Sequence, residues 1–257
     1  MPVEDPVDAM PHLASPGSPP EYRRMPLKML TVGSRGTEAC LTFARETGAR
    51  FILDSTSEVY GEPLEHPQRE SDWGNVNLFG SRSVYDEAKR FAEAITLAYG
   101  RYGSLDVGIV RIFNTYGPRL RLEDGHVVSN FIEQALSNRS LTAYGEGTQI
   151  RSFYLVDDFV GGLLAMVDAR GLTGPVNLGN LSEVSVLEPG TVAQELTRSS
   201  SPLSFHESLQ DDPTKRRPDI CLALATLQWS PAITLGNGLA RTIARFGRQS
   251  GVGVNVQ

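Results

Sequence analysis

The 257-residue chain has 25 glycines, yet none of them fall as G-x-G-x-x-G or G-x-x-G-x-x-G. It therefore offers no turn on which a dinucleotide pyrophosphate would rest at a helix N-terminus. The short run Gly33-Ser34-Arg35-Gly36 falls inside a helical stretch. Cysteine is scarce. Cys40 and Cys221 have neither metal-ligand spacing nor a disulfide-rich context, and are expected to be buried structural thiols in a reducing cytoplasm. No apolar run approaches the ~18 residues of a membrane span. Glu4, Asp5 and Asp8 stand where a leader peptide would carry basic residues, so neither leader nor membrane anchor is expected. Positive charge is in deficit too: a net charge of −6 argues against a broad nucleic-acid or anionic-membrane surface. His66 and His206 read as loop residues, and no metal site is expected.

What is present suits a folded protein with a substantial core, at 40% hydrophobic and 21% charged residues. Ala49–Asp54 and Asp106–Phe113 are short apolar, β-branched runs that suit buried parallel strands. Helical patterns over 27–47 and 85–102 lead into them, giving the alternation of a doubly wound α/β sheet. From about residue 117 the texture changes. Short helices at 127–138, 157–169, 186–199 and 236–248, the turn Tyr144–Gly147 and a short strand at Val176–Leu178 suggest a smaller second lobe. The Pro-rich stretch Pro16–Pro26 is expected to be a loop.

Chemistry-bearing residues follow the strands. Ser55-Thr56-Ser57-Glu58-Val59-Tyr60-Gly61 succeeds the first and Asn114–Arg119 the second, at the strand ends where open α/β sheets bind ligands. Ser83-Val84-Tyr85-Asp86-Glu87-Ala88-Lys89 carries a Tyr-x-x-x-Lys pair. On a helix its two members lie one turn apart on one face. A neighbouring ammonium draws a phenol's pKa down from ~10, so Tyr85 is expected to ionise readily and to serve as a base on a hydroxyl proton. The hydride released with it then needs an acceptor.

These motifs, with Trp73-Gly74-Asn75-Val76-Asn77, Arg111–Arg119, Asp124–Phe131 and Asp211-Asp212-Pro213-Thr214-Lys215-Arg216-Arg217-Pro218-Asp219, run nearly the length of the chain. The chain resembles the extended short-chain dehydrogenase/reductases acting on nucleotide sugars, and among them the branch that decarboxylates UDP-glucuronate. Tyr-x-x-x-Lys alone is a weak signal; Ser-Thr-Ser-Glu joined to Lys-Arg-Arg-Pro-Asp is a strong one. The resemblance implies an incomplete Rossmann-like doubly wound parallel sheet with a smaller C-terminal substrate lobe. Residues 1–116 would be the remainder of the NAD-binding domain, without its first strands and Gly-rich turn, and 117–257 mainly the nucleotide-sugar lobe. An N-terminally truncated family member is expected.

The implied chemistry is oxidation of glucuronate C4 by bound NAD, loss of carbon dioxide from the β-keto acid, and return of hydride to give UDP-xylose. By resemblance Tyr85 is the base and Lys89 its electrostatic partner, while Thr56 and Ser57 orient the 4-hydroxyl. Glu58 would bind the ring or protonate C5, and Arg216 would meet the carboxylate. NAD contacts would come from Leu13, Ala14, Ser15, Tyr85 and Lys89. UDP-sugar contacts would come from Asn114, Arg119, Val128, Tyr144, Gln149, Arg151 and Arg216, with Tyr144 near uracil. Ser57 is a poor general acid, which argues against the 4,6-dehydratases, and Glu58 argues mildly against 4-epimerases. A homodimer through the 27–47 and 85–102 helices is implied. Pro11, Gly33, Leu78 and His126 depart from the family pattern. A second class stays open: a noncatalytic paralogue that binds a UDP-sugar or pairs with a full-length homologue.

Overall fold

A computed structural model describes residues 6–251; the Met1–Asp5 run, read as leading into a strand, lies outside them. The first half runs β1 (Ala9–His12), α1 (Pro19–Arg24), α2 (Pro26–Thr31), a π-helical turn (Val32–Gly36), α3 (Thr37–Thr47), β2 (Arg50–Thr56), a 3-10 turn (Ser57–Tyr60), α4 (Ser83–Gly103) and β3 (Val107–Ile112). Then come β4 (Thr115–Tyr116), α5 (Val127–Leu136), β5 (Leu141–Tyr144), β6 (Ile150–Arg151), β7 (Tyr154–Leu155), α6 (Val156–Asp168) and β8 (Val176–Leu178). The chain ends with β9 (Val184–Ser185), α7 (Glu188–Thr197), β10 (Leu203–His206), β11 (Lys215–Arg216), α8 (Cys221–Leu227) and α9 (Leu235–Ser250).

Among the described residues the main sheet is parallel and ordered β1-β2-β3-β8. Phe51, Ile52, Leu53, Ile109 and Val110 are nearly inaccessible, because helices cover both faces. On one face Leu41, Ala44, Ala92 and Ile109 pack together; on the other Ile52, Val110, Leu163, Met166 and Trp229 do. A third core under α5, α7 and α9 gathers Phe131, Ile132, Leu239, Ile243 and Phe246. Val176–Leu178 joins the main sheet beside β3, so the chain returns to that sheet after building much of the third core.

Pro11 sits opposite Ile52 in β1, and β1 pairs only with β2 among the described residues. Arg50 N donates to Asp8 O at 3.0 Å. Bonds in a parallel pair alternate along the strand, so Met10 faces β2 next and the missing N–H of Pro11 falls on the outer edge, where a proline is tolerated.

Two expectations are corrected. Part of the Pro16–Pro26 stretch is helical: α1 begins at Pro19 and α2 at Pro26, first-turn positions whose N–H groups would lack partners in any case. The thiols are not both buried: Cys40 is half-buried, and Cys221 is exposed because it opens α8. Gly33 lies in the π-helical turn against α4. A Cβ there would stand 2.6 Å from the Ala88 carbonyl oxygen, so the small residue permits close helix contact.

Candidate functional site

A cavity of about 370 Å³ opens at the carboxyl ends of β2 and β3 and under the second lobe. Tyr85, Lys89, Thr56, Ser57, Glu58 and Arg216 all line it, together with Leu13, Ser15, Asn114, Val128, Tyr144, Gln149 and Arg151. Ala14 and Arg119 do not; both are exposed. Leu13 and Ser15 face the cavity in the alternation of an extended chain, which turns Ala14 away. Arg119 is carried to solvent in the turn closed by Leu120 N and Gly117 O at 3.2 Å.

The 3-10 turn after β2 presents the hydroxyls. Thr56 caps it, its Oγ1 accepting from Glu58 N at 3.3 Å. Ser57 Oγ accepts from Arg216 Nη1 at 3.3 Å, and Gly61 O accepts from Nη2 at 3.1 Å. Glu58 is gripped from two sides, by Arg216 at 3.2 Å and by Arg82. Arg82 and Arg151 share Asp212, at 3.5 and 3.0 Å. Three guanidiniums from three parts of the chain thus meet two carboxylates on one cavity wall.

The pKa pattern follows. Burial opposes charge on Glu58, but Arg216, Arg82 and Arg151 outweigh it and hold the carboxyl at about 2. In this geometry Glu58 is held as an ionised acceptor between Arg216 and Arg82. Burial lowers Arg216, with Glu58 pulling the other way.

The lowered phenol pKa expected of Tyr85 is corrected. Both lie on the buried face of α4, one turn apart. However, burial dominates Tyr85 and pushes its phenol up, while a contact from Thr56 pulls it down. Lys89 Nζ donates one of its three N–H bonds to Asp54 O at 2.7 Å, at the end of β2. Tyr85 instead stacks on Tyr22, ring centroids 5.0 Å apart at 24°. The phenol is therefore held in its neutral form in this arrangement.

Sequence reading missed Arg82, Asp54 and Tyr22, all lining the cavity. Arg82 had a signal, a cation one turn before Tyr85 at the start of the helix. Tyr22 had none, because its helix begins in a stretch read as a loop. Behind the wall, Arg111 and Glu93 form a buried pair, Nε to Oε1 at 2.9 Å and Nη2 to Oε2 at 2.8 Å. Ser55 Oγ adds a bond to Glu93 at 2.6 Å.

A Tyr-x-x-x-Lys helix beside a Ser/Thr turn, at the carboxyl edge of a parallel sheet, defines a site of the short-chain dehydrogenase/reductase class. Residues 2–179 match the NAD dependent epimerase/dehydratase family, and the chain belongs to it. It is 48% identical over 240 residues to UDP-glucuronic acid decarboxylase 1 of Arabidopsis thaliana, covering 93% of this chain and 55% of that protein. It is 47% identical over 243 residues to UDP-glucuronic acid decarboxylase 1 of Danio rerio, covering 95% and 58%. The chain thus spans about half the length of these curated relatives. A mutant UDP-glucuronic acid 4-epimerase from Bacillus cereus, solved with UDP-4-deoxy-4-fluoro-glucuronic acid and NAD, superposes with a TM-score of 0.84 at 27% identity, covering 95% of this chain and 76% of that one.

Proposed function

We propose that this chain carries the reaction-centre portion of an NAD-dependent UDP-glucuronate decarboxylase forming UDP-xylose through a 4-keto intermediate. The observation that carries the reading is the convergence of Tyr85, Lys89, Thr56 and the Glu58–Arg216 pair on one cavity, in a chain 48% identical to a UDP-glucuronic acid decarboxylase. Thr56 and Ser57 orient the 4-hydroxyl and Tyr85 takes its proton once positive charge from Lys89 reaches the phenol. Glu58 accepts from ring hydroxyls. Arg216 and Arg151 supply fixed positive charge for the sugar carboxylate and the diphosphate. Asn114, Val128, Tyr144 and Gln149 shape the rest of the nucleotide-sugar pocket.

Leu13, Ser15, Tyr85 and Lys89 beside Asp54 Oδ1, which has no partner among the described residues, fit the nicotinamide-ribose end of NAD, with a donor and an acceptor together in the cavity. When bound, NAD supplies the hydride acceptor. The division at residue 116 into a cofactor domain and a substrate lobe belongs to the same reading. So does a homodimer through α2, α3 and α4, where Leu27 and Phe91 are 77% and 50% exposed. Two free cysteines support a reducing, cytoplasmic setting.

The test is to incubate the chain, and a chimera bearing the amino-terminal portion of the Arabidopsis thaliana relative, with UDP-glucuronate and NAD, and to read products by mass spectrometry and NMR. UDP-xylose from either supports the proposal. A 4-epimer without loss of carbon dioxide moves the chain to the epimerases. Binding of UDP without turnover by both proteins supports the noncatalytic reading.

A further inference from the structure

Lys89 is a buried ammonium at the cavity wall: it donates to the Asp54 carbonyl oxygen at 2.7 Å, burial lowers its pKa, and the charges of Asp54 and Glu93 act to raise it. Their situations differ. Glu93 is fully engaged, its Oε1 accepting from Arg111 Nε and Ser55 Oγ and its Oε2 from Arg111 Nη2, so its charge is already neutralised by a guanidinium. The Asp54 carboxylate forms no ion pair within 4 Å among the described residues, and Lys89 is the cation that acts on it. The carbonyl oxygen of Asp54 accepts from Lys89 Nζ at 2.7 Å, its side chain lines the cavity, and its Oδ1 is buried without a hydrogen-bond partner among the described residues.

We propose that Asp54 is a positioning residue for Tyr85: through its carbonyl and its unpaired carboxylate it holds Lys89 as a buried ammonium, the state in which Lys89 can lend positive charge to the phenol. The inference rests on the reading of Tyr85 and Lys89 as the hydroxyl-oxidising pair. It also explains the unusual placing of a free carboxyl in that pocket. Asp54's own charge acts against a Tyr85 phenolate, so its contribution to Tyr85 runs through Lys89 and not directly. Burial pushes the Asp54 carboxyl up to about 6, with Lys89 pulling it down. The hold of Asp54 on Lys89 therefore weakens as pH falls through the Asp54 titration. The titratable and charged groups around the pair are His12 from β1, Tyr85 and Glu93 from α4, Arg111 from β3, Glu58 from the 3-10 turn and Tyr154 from β7. His12 is kept neutral by burial and by Lys89.

The chain has only three lysines, Lys28, Lys89 and Lys215, and the other two are exposed, so the Lys89 side-chain nitrogen can be assigned and titrated by NMR. In Asp54→Asn the Lys89 midpoint should fall by about one pH unit or more, roughly a tenfold loss of ammonium near the midpoint, with Lys28 and Lys215 unmoved. An unchanged Lys89 midpoint in a folded Asp54→Asn protein overturns the proposal. If that variant does not fold, the wild-type chain decides: the Lys89 nitrogen should show a second inflection at the pH where the Asp54 carboxyl carbon titrates, and its absence overturns the proposal equally. Neither readout needs turnover. A chain that shows the coupling but never decarboxylates UDP-glucuronate keeps the Asp54–Lys89 link and loses the reading of Tyr85 as the base that the link serves.

Discussion

Glu93 and Arg111 face each other fork to fork beneath the cavity, at 2.9 and 2.8 Å, with Tyr60 closing the arrangement by accepting from Arg111 Nη1 at 2.9 Å. The pair ties α4, which carries Tyr85 and Lys89, to β3, while Ser55 ties it to β2. Removing one member leaves the other charge buried and alone. Glu93→Ala should therefore destabilise the fold by about 3–5 kcal/mol in urea titrations. A loss below about 1 kcal/mol would mean that water reaches Arg111 and that the pair does not hold the layers together.

Tyr85→Phe keeps the stack on Tyr22 and the packing of α4 but removes the phenol oxygen proposed to take the 4-hydroxyl proton. In whichever protein forms UDP-xylose, oxidation should drop at least roughly 100-fold with the melting temperature nearly unchanged. Turnover within twofold of the parent would exclude Tyr85 as the base.

Asp86 supplies a pH signature. It is buried on α4, its Oδ1 has no partner among the described residues, and burial, aided by the charge on Glu58, raises its carboxyl to about 7. A carboxyl whose folded pKa is raised favours the folded state when protonated. That contribution is complete below the unfolded value near 4 and is lost as pH rises towards 7. Asp86→Asn should thus leave the melting temperature little changed at pH 4 and raise it at pH 8. Equal shifts at both pH values would show that Asp86 does not titrate in this window.

Gly33 tests the approach of the π-helical turn to α4. Any Cβ there would lie 2.6 Å from the Ala88 carbonyl oxygen and 2.8 Å from its Cβ. Gly33→Asn should destabilise by about 1–3 kcal/mol by forcing the two helices apart. A neutral or stabilising result would mean that the turn can shift without disturbing Tyr85.

The two central strands and α4 were legible in the sequence because each is decided locally. A run such as Phe51-Ile52-Leu53 has one economical conformation between two covering layers, and the 3.6-residue period puts Tyr85, Lys89 and Glu93 on one face wherever the helix packs. The motifs likewise placed Thr56, Ser57, Glu58 and Arg216 in one site, since their residue types and order match a family.

Tertiary structure decided what those residues face. Which groups surround Lys89 and Glu58, and whether Arg119 reaches the cavity, are questions of distance and burial between segments far apart in the chain. Helical spacing predicts a lowered phenol pKa; desolvation in the assembled core reverses it. Local periodicity fixes which side of an element turns inward, but the charge state of a group is set by every neighbour that the fold brings to it and by the water that the fold removes.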